Sequence, residues 1–193
     1  MKFPQITLEL PRWMQDYFPG DGDLLYPTEE DRMRLAIDLA RENVRRGTGG
    51  PFGAAIFELE SGRLVAPGVN LVEGHNLSAA HAEMVAISMA QWAVGHFDLG
   101  GQPCELVTSV EPCAMCFGGV IWSGVGRLVC GAREEDARSI GFDEGPKVED
   151  WPGELSARGI EVQRDVCREE ATEVLKEYLS RGGAIYNARQ GGS

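Results

Sequence analysis

The sequence predicts an α/β fold, one domain in which helices cover both faces of a sheet. Two observations carry this expectation. Short apolar runs rich in β-formers alternate with segments of helical period, and Gly, Pro or capping residues mark most of the changes. The 193 residues, 43% hydrophobic and 25% charged, are an ordinary globular mixture long enough for one substantial core.

Residues 1–27 read as an N-terminal arm. Pro4, Pro11, Pro19 and Pro27 argue against one long helix, and Trp13, Tyr17 and Phe18 suggest an arm packed onto the domain or a partner subunit, with a partly disordered tail as the alternative. The domain proper spans 28–181. Its first helix lies in "PTEEDRMRLAIDLARENVRRG", where Thr28 is the cap, acids fill the first turn, Arg45 and Arg46 the last, and Gly47 stops it. Strands follow over 51–59 and 63–72, joined by a turn at Ser61-Gly62. A helix is expected over 78–94 with Ser78 as N-cap, then a buried-type strand over 104–110. "CAMCFGGVIW" reads as a helix with Pro112 at its first position, and "GRLVCGA" as a strand. Glu134 to Asp150 is an acidic, loop-rich stretch. "GIEVQRDV" supplies the fifth strand, "REEATEVLKEYLSR" an amphipathic helix, and 182–193 a flexible tail.

Charge and cysteine usage narrow the function. A net charge of −12 and a pI near 4.7, with Arg45-Arg46 the densest basic pair, oppose binding to phosphate backbones and favour a small neutral substrate. No apolar run approaches the roughly 18 residues of a membrane span, and the N-terminus lacks the apolar core of a secretory signal. Five cysteines, an odd number, do not form the framework of a small secreted domain, so the expected compartment is the reducing cytoplasm.

"SAAHAEMVAI" sets His81 and Glu83 in an otherwise apolar helix, where unpaired titratable groups are costly. "EPCAMC" sets Cys113 and Cys116 three apart, so both sulfurs lie on one helical face near a helix N-terminus, where the local field favours thiolate. The same field, acting on a histidine in the first turn of its helix, favours neutral imidazole. His81, Cys113 and Cys116 make three ligands of the kind Zn²⁺ takes, and a catalytic zinc keeps its fourth position for water. Glu83 then lies beside that position as the group that moves the water's proton. A closed zinc site from Cys104, Cys113, Cys116 and Cys130 would leave His81 and Glu83 unexplained; Cys104, Cys130 and Cys167 read instead as small buried hydrophobes.

The order H-A-E followed by P-C-A-M-C resembles the zinc-dependent nucleobase deaminases. "GGPFGAAIFE", "GVNLV", "AAHAEMVAIS", "LVTSVEPCAMCFGGVIWSGV", "GFDEGP" and "IYNAR" resemble the guanine deaminases of the cytidine-deaminase superfamily, from about Pro51 to Arg189. The last two pieces separate that group from the tRNA adenosine deaminases. The resemblance implies a three-layer α/β/α fold around a five-stranded mixed sheet, a Zn²⁺ cofactor, and hydrolysis of guanine to xanthine and ammonia. It implies catalytic roles for Glu83 and Glu144, the latter a second acid facing the exocyclic amine, with Asp143 as its competitor. It also implies that Asn70 bonds the carbonyl edge of the base, that Phe52 and Trp122 pack against the purine, and that Tyr186 belongs to a lid. Read alone, Glu144 is a solvated acid in an acidic loop, Asn70 a turn residue, Trp122 core and Tyr186 an anchor for the tail. The resemblance further implies a homodimer, for which "FGGVIWSGVG" offers a contact face, with no nucleic acid or membrane as partner. Guanosine or another nucleoside, cytosine or an aminotriazine as substrate, tRNA adenosine editing, and a non-catalytic zinc-stabilised interaction module stay open.

Overall fold

A computed structural model describes residues 3, 5–18, 20 and 23–188. Strands β1 (Gly53–Glu58), β2 (Leu64–Val69), β3 (Cys104–Val110), β4 (Arg127–Ala132) and β5 (Glu161–Gln163) form one sheet in the order β2-β1-β3-β4-β5. β1 runs antiparallel to β2 and β3, while β3, β4 and β5 are parallel, so the sheet is mixed. The helices are α1 (Trp13–Tyr17), α2 (Glu29–Arg45), α3 (Val72–His75), α4 (Ala82–Val94), α5 (Ala114–Ser123), α6 (Glu134–Ser139), α7 (Trp151–Ser156) and α8 (Arg168–Ser180).

Strand alternation divides the core in two. Ala55, Phe57, Val107 and Val129 meet α2 and α8 on one face; Ala54, Ile56, Leu106, Leu128 and Cys130 meet α4, α5 and α7 on the other. Each fully buried large side chain contributes about 1.5–3 kcal/mol. Two strand glycines let the layers close. A Cβ on Gly53 would stand 2.2 Å from the Ala36 carbonyl oxygen of α2, and one on Gly68 2.4 Å from that of Ala82 in α4. The three-layer α/β/α arrangement with five strands is therefore as expected.

Several boundaries differ from the sequence reading. Ser78 does not cap α4. Backbone bonds from Leu71 N–H to the Ala80 carbonyl and from Ala80 N–H to Leu77 fix the preceding turn, and His81 is the N-cap, with extended backbone. Pro112 likewise stays outside α5, whose N-cap is Cys113. The acidic stretch holds a helix, α6, closed by Asp136, whose carboxylate accepts the Arg133 N–H at 2.8 Å. The last strand is cut to three residues, Glu161–Gln163, with Gly159 before it and Asp165 after it in left-handed backbone, at φ 78° and 66°.

The arm docks on the domain. Trp13 and Met14 enter the core, and Trp13 Nε1 donates to Thr48 Oγ1 at 3.1 Å. At the other end Tyr178 donates to the Ala184 carbonyl at 2.6 Å, which turns the tail back over the sheet's edge toward Ile185 and Tyr186. Pro4 and Pro19 of the arm and residues 189–193 of the tail, Arg189 of "IYNAR" included, lie outside the described residues.

Candidate active site

Four strand ends meet at one edge of the sheet. The register pairs Gly53 with Val69, Ala54 with Thr108 and Val110 with Ala132, so the start of β1 adjoins the ends of β2, β3 and β4. Phe52 precedes β1, Asn70 follows β2, Glu111-Pro112-Cys113 follows β3 and Arg133-Glu134 follows β4. Here opens a cavity of 450 Å³ whose walls include Phe52, His81, Glu83, Glu111, Cys113, Phe142, Asp143, Glu144 and Tyr186.

The ligand-type atoms of His81, Cys113 and Cys116 lie within 4.8 Å of one another, with His81 Nδ1 3.5 Å from Cys113 Sγ. Two of the three residues are helix N-caps, and Cys116 lies on the first turn of α5. Cys104, Cys130 and Cys167 do not join this cluster, which rules out the four-cysteine arrangement. The donors fit Zn²⁺ with one position left for a non-protein ligand. Their electrostatics also call for a cation. Hydrogen bonds from Cys116 and His81, against burial, hold the Cys113 thiol down at about 4. The hydrogen bond to Cys113, together with burial, pushes Cys116 well up, since a second thiolate beside the first is unfavourable without a metal. His81 departs from expectation. Burial depresses its pKa, but its hydrogen bond to Cys113 and the nearby Glu83 and Glu144 outweigh burial and the shift is upward. A bound metal, rather than the helix field, would keep this imidazole unprotonated.

Two carboxyls face the cluster, and neither is ion-paired among the described residues. Glu83, 6% exposed, is pushed up to about 7 by burial and by the charge on Cys113. Glu144, 7% exposed, is pushed up to about 8 by burial, then Cys113 and Glu83. Glu144 is thus no solvated loop acid. Asp143 is the exposed one: its Oδ1 accepts the Gly145 N–H at 2.9 Å while its carboxylate stands at the mouth of the cavity.

An aromatic wall completes the site. Phe52 meets Phe142 edge to face at 5.0 Å, and Phe142 meets Tyr186 at 5.1 Å. The Tyr186 hydroxyl is buried without a hydrogen-bond partner among the described residues, and a Cβ on Gly50 would come within 2.0 Å of it. Asn70 is buried and is not part of the cavity wall. Its Oδ1 accepts the Val72 N–H at 3.2 Å, while its Nδ2 is a buried donor with no partner among the described residues. Trp122 requires correction. It is 82% exposed and does not line the cavity in this chain, because Cys116, Val120 and Ser123 take the inward face of α5 and Trp122 falls opposite.

Sequence reasoning assigned no role to Phe142, Glu111 or Asn187. Phe142 stands in "GFDEGP" beside the acid that drew attention. Glu111 accepts hydrogen bonds from Arg164 Nε at 2.6 Å and from Glu134 N–H at 3.0 Å. Asn187 fastens the tail to the acid loop, its Oδ1 accepting the Asp143 N–H at 2.9 Å and its Nδ2 donating to the Gly141 carbonyl at 2.8 Å.

Residues 27–132, more than half of the chain, match the family of the cytidine and deoxycytidylate deaminase zinc-binding region. The chain is 40% identical over 115 residues to the guanine deaminase of Bacillus subtilis (strain 168), covering 60% of this chain and 71% of that protein. It is 38% identical over 104 residues to a tRNA-specific adenosine deaminase of the same organism, covering 54% and 62%. A solved structure of the guanine deaminase from Nitrosomonas europaea superposes with a TM-score of 0.84 at 45% identity, covering 92% of this chain and 97% of that one. A structure in complex with 2,6-diaminopurine superposes at 0.88 with 46% identity, covering 96% and 98%. With the ligand triad, the fold and these likenesses together, the chain belongs to the zinc-binding cytidine and deoxycytidylate deaminase family and groups with its guanine deaminases.

Proposed function

We propose that this chain hydrolyses guanine to xanthine and ammonia, with Zn²⁺ held by His81, Cys113 and Cys116. The observation that carries the reading is the pair of buried carboxyls, Glu83 and Glu144, beside a three-ligand cluster in one aromatic-walled cavity. The solved relatives add support, one bearing 2,6-diaminopurine and others 8-azaguanine, both purines with an exocyclic amine.

The metal supplies activation of a water for attack on the ring carbon bearing the amine. Glu83 accepts a proton from the attacking water and returns it to the neighbouring ring nitrogen. Glu144 faces the amine and helps carry a proton to the departing ammonia. A divalent cation in the cluster pulls both carboxyls down, so Glu144 in the loaded site is the acceptor that guanine's N1–H and 2-amino edge needs. Phe52 and Phe142 bound the ring, and Asn70 offers its free Nδ2 to a base carbonyl once substrate shifts the local packing. Residues 182–188, carrying Tyr186 and Asn187, act as the lid that excludes water.

The decisive experiment measures zinc content and ammonia release from guanine, guanosine, cytosine, adenine and an aminotriazine, with tRNA adenosine editing assayed alongside. Turnover of guanine above all others is expected. Preference for another amine moves the substrate assignment, and zinc without hydrolysis of any amine leaves an interaction module. Two further readings belong here. Exposed Trp92, Met115 and Trp122 on the packed pair α4 and α5 support a homodimer through that face, checked by sedimentation of Trp122→Glu. Five free thiols support residence in a reducing cytoplasm; no described helix is long and apolar enough to cross a membrane.

A further inference from the structure

The loop after α6 sends two groups to the turn that carries Cys113. Glu144 presents its carboxyl to the cavity and its backbone carbonyl to α5, accepting the Ala114 N–H at 2.9 Å. Lys147 reaches the other side of the turn, where its Nζ donates to the Pro112 carbonyl at 2.7 Å. Cys113 is therefore held between two bonds to one loop. The ammonium is enclosed: the side chain is 4% exposed, Nζ lies 2.8 Å from Glu134 Oε2, and it sits 4.8 Å from the centroid of the Trp151 ring. Burying a lysine is costly unless its donors are used, and here a carbonyl, a carboxylate and a ring face take them. Glu134 is itself seated on the turn, its N–H bonded to Glu111 Oε2 at 3.0 Å. Lys147 does not line the active cavity, and it walls a second cavity behind it with Glu111, Glu134 and Trp151. Any influence on the chemistry must pass through the residues it holds.

We propose that Lys147 is a positioning residue whose ammonium, by fixing the Pro112 carbonyl, sets the register between the metal ligand Cys113 and the acid Glu144. The inference rests on reading the cavity as a deaminase centre. A ligand turn released on one side shifts one donor of the metal set, and it shifts Glu144 relative to the reacting carbon. Outer partners of metal ligands are worth about 10–100-fold in metal affinity, and a misplacement of about 1 Å costs on the order of 10²-fold in rate.

The test compares the parent, Lys147→Met and Glu134→Gln as full-length proteins. Zinc affinity is read by chelator competition, guanine kcat and KM by ammonia release, and folding by circular dichroism and Tm. Lys147→Met is expected to bind zinc about tenfold more weakly and to lose about 10–100-fold in kcat, with KM within about threefold. Glu134→Gln, which loosens the ammonium without removing it, should show the same pattern at smaller size. Zinc affinity and kcat within twofold of the parent in folded Lys147→Met would overturn the proposal. If Lys147→Met does not fold, parent-like values in Glu134→Gln overturn it and confine Lys147 to folding. A parent that binds zinc but leaves guanine untouched would sink the deaminase reading, while the zinc-affinity comparison still decides whether Lys147 holds the ligand turn.

Discussion

Strand β3 carries a buried carboxylate at its start and points to two more beyond its end, and the two ends treat them differently. Glu105, 0% exposed, sits between two guanidiniums: Arg127 donates a hydrogen bond at 2.9 Å, and Arg32 Nε stands 2.9 Å from Oε1 at an angle that makes the contact Coulombic only. Arg127 extends this cluster to Glu29 and Glu161. At the far end Glu83 and Glu144 are as well buried but face thiols and each other. Burial raises all three carboxyls. Arg32 and Arg127 oppose it at Glu105, whereas the charge on Cys113 adds to it at the other end, where the values reach about 7 and 8. The paired end holds α2 to the sheet. The unpaired end stores a cost that a bound cation and substrate can recover, the usual mark of a working site.

The largest effect should come from the unpaired end. Glu83→Gln keeps the shape and removes the base, so kcat should fall by about 10²–10⁴-fold with zinc content unchanged. After chelation its Tm should equal or exceed the parent's, because an unpaired buried carboxyl is removed. Residual activity near the parent's would take Glu83 out of the chemistry. The paired end should answer in reverse. Glu105→Ala strands Arg32 and takes one of three carboxylates from Arg127, and should cost about 3–5 kcal/mol in urea unfolding, with kcat of the folded fraction unchanged. A small loss there would erase the contrast between the ends.

The contrast was only half legible in the sequence. His81, Glu83, Cys113 and Cys116 stand out because ligand chemistry needs close spacing, and both halves of the pattern lie at helix starts. The strands announce themselves through apolar runs closed by glycine and proline. Glu105 in the buried-type strand "CELVTSV" gives no sign of its pairing, because its partners come from a helix far earlier in the chain and from the next strand. α6 lies hidden in an acidic run, since one short turn of charged residues has no apolar period to read. The start of α4 is missed because backbone pairing at Leu71 and Ala80, rather than a serine cap, decides where the helix begins. Trp122 is misplaced because likeness between sequences does not say which face of α5 a residue takes.

The comparison sharpens with pH in the zinc-free protein. Folded Glu144 binds its proton up to about 8 against the usual 4.5, so the folded state holds more protons than the unfolded one between those values. The stability Glu144 contributes should be fully present below about 4.5 and should fall as pH rises through that window, while Cys113, held down at about 4, contributes the opposite slope. Glu144→Gln should flatten the fall, and zinc should reduce it. At the helix α6 cap the sign reverses. Burial raises Asp136, but hydrogen bonds from Arg168 and the Arg133 N–H outweigh it and lower its pKa, so its contribution is lost as pH drops below the carboxylate range. Urea midpoints of parent and Glu144→Gln at pH 5 and 8, after chelation, check the first sign, and the parent's midpoint at about pH 3 checks the second; equal slopes between pH 5 and 8 would mean Glu144 is not held protonated by its surroundings.

Glu111 tests whether pairing or position decides which end a carboxylate belongs to. It lies just past β3, lines the active cavity, and is 3% exposed, like the unpaired acids. Yet it carries a cation like Glu105, with Arg164 Nη2 2.6 Å from Oε1, and it accepts the Glu134 N–H. If pairing decides, Glu111→Gln behaves as a mild structural change. The amide still accepts at one oxygen, the ion pair with the partly exposed Arg164 is lost, and stability falls by about 1–2 kcal/mol. Guanine kcat then stays within about threefold, since the residue presents no free charge to the substrate. A fall in kcat approaching that of Glu83→Gln, at unchanged stability, would place Glu111 among the chemical groups. Pairing with an arginine would then no longer separate a carboxylate that holds the fold from one that serves the reaction.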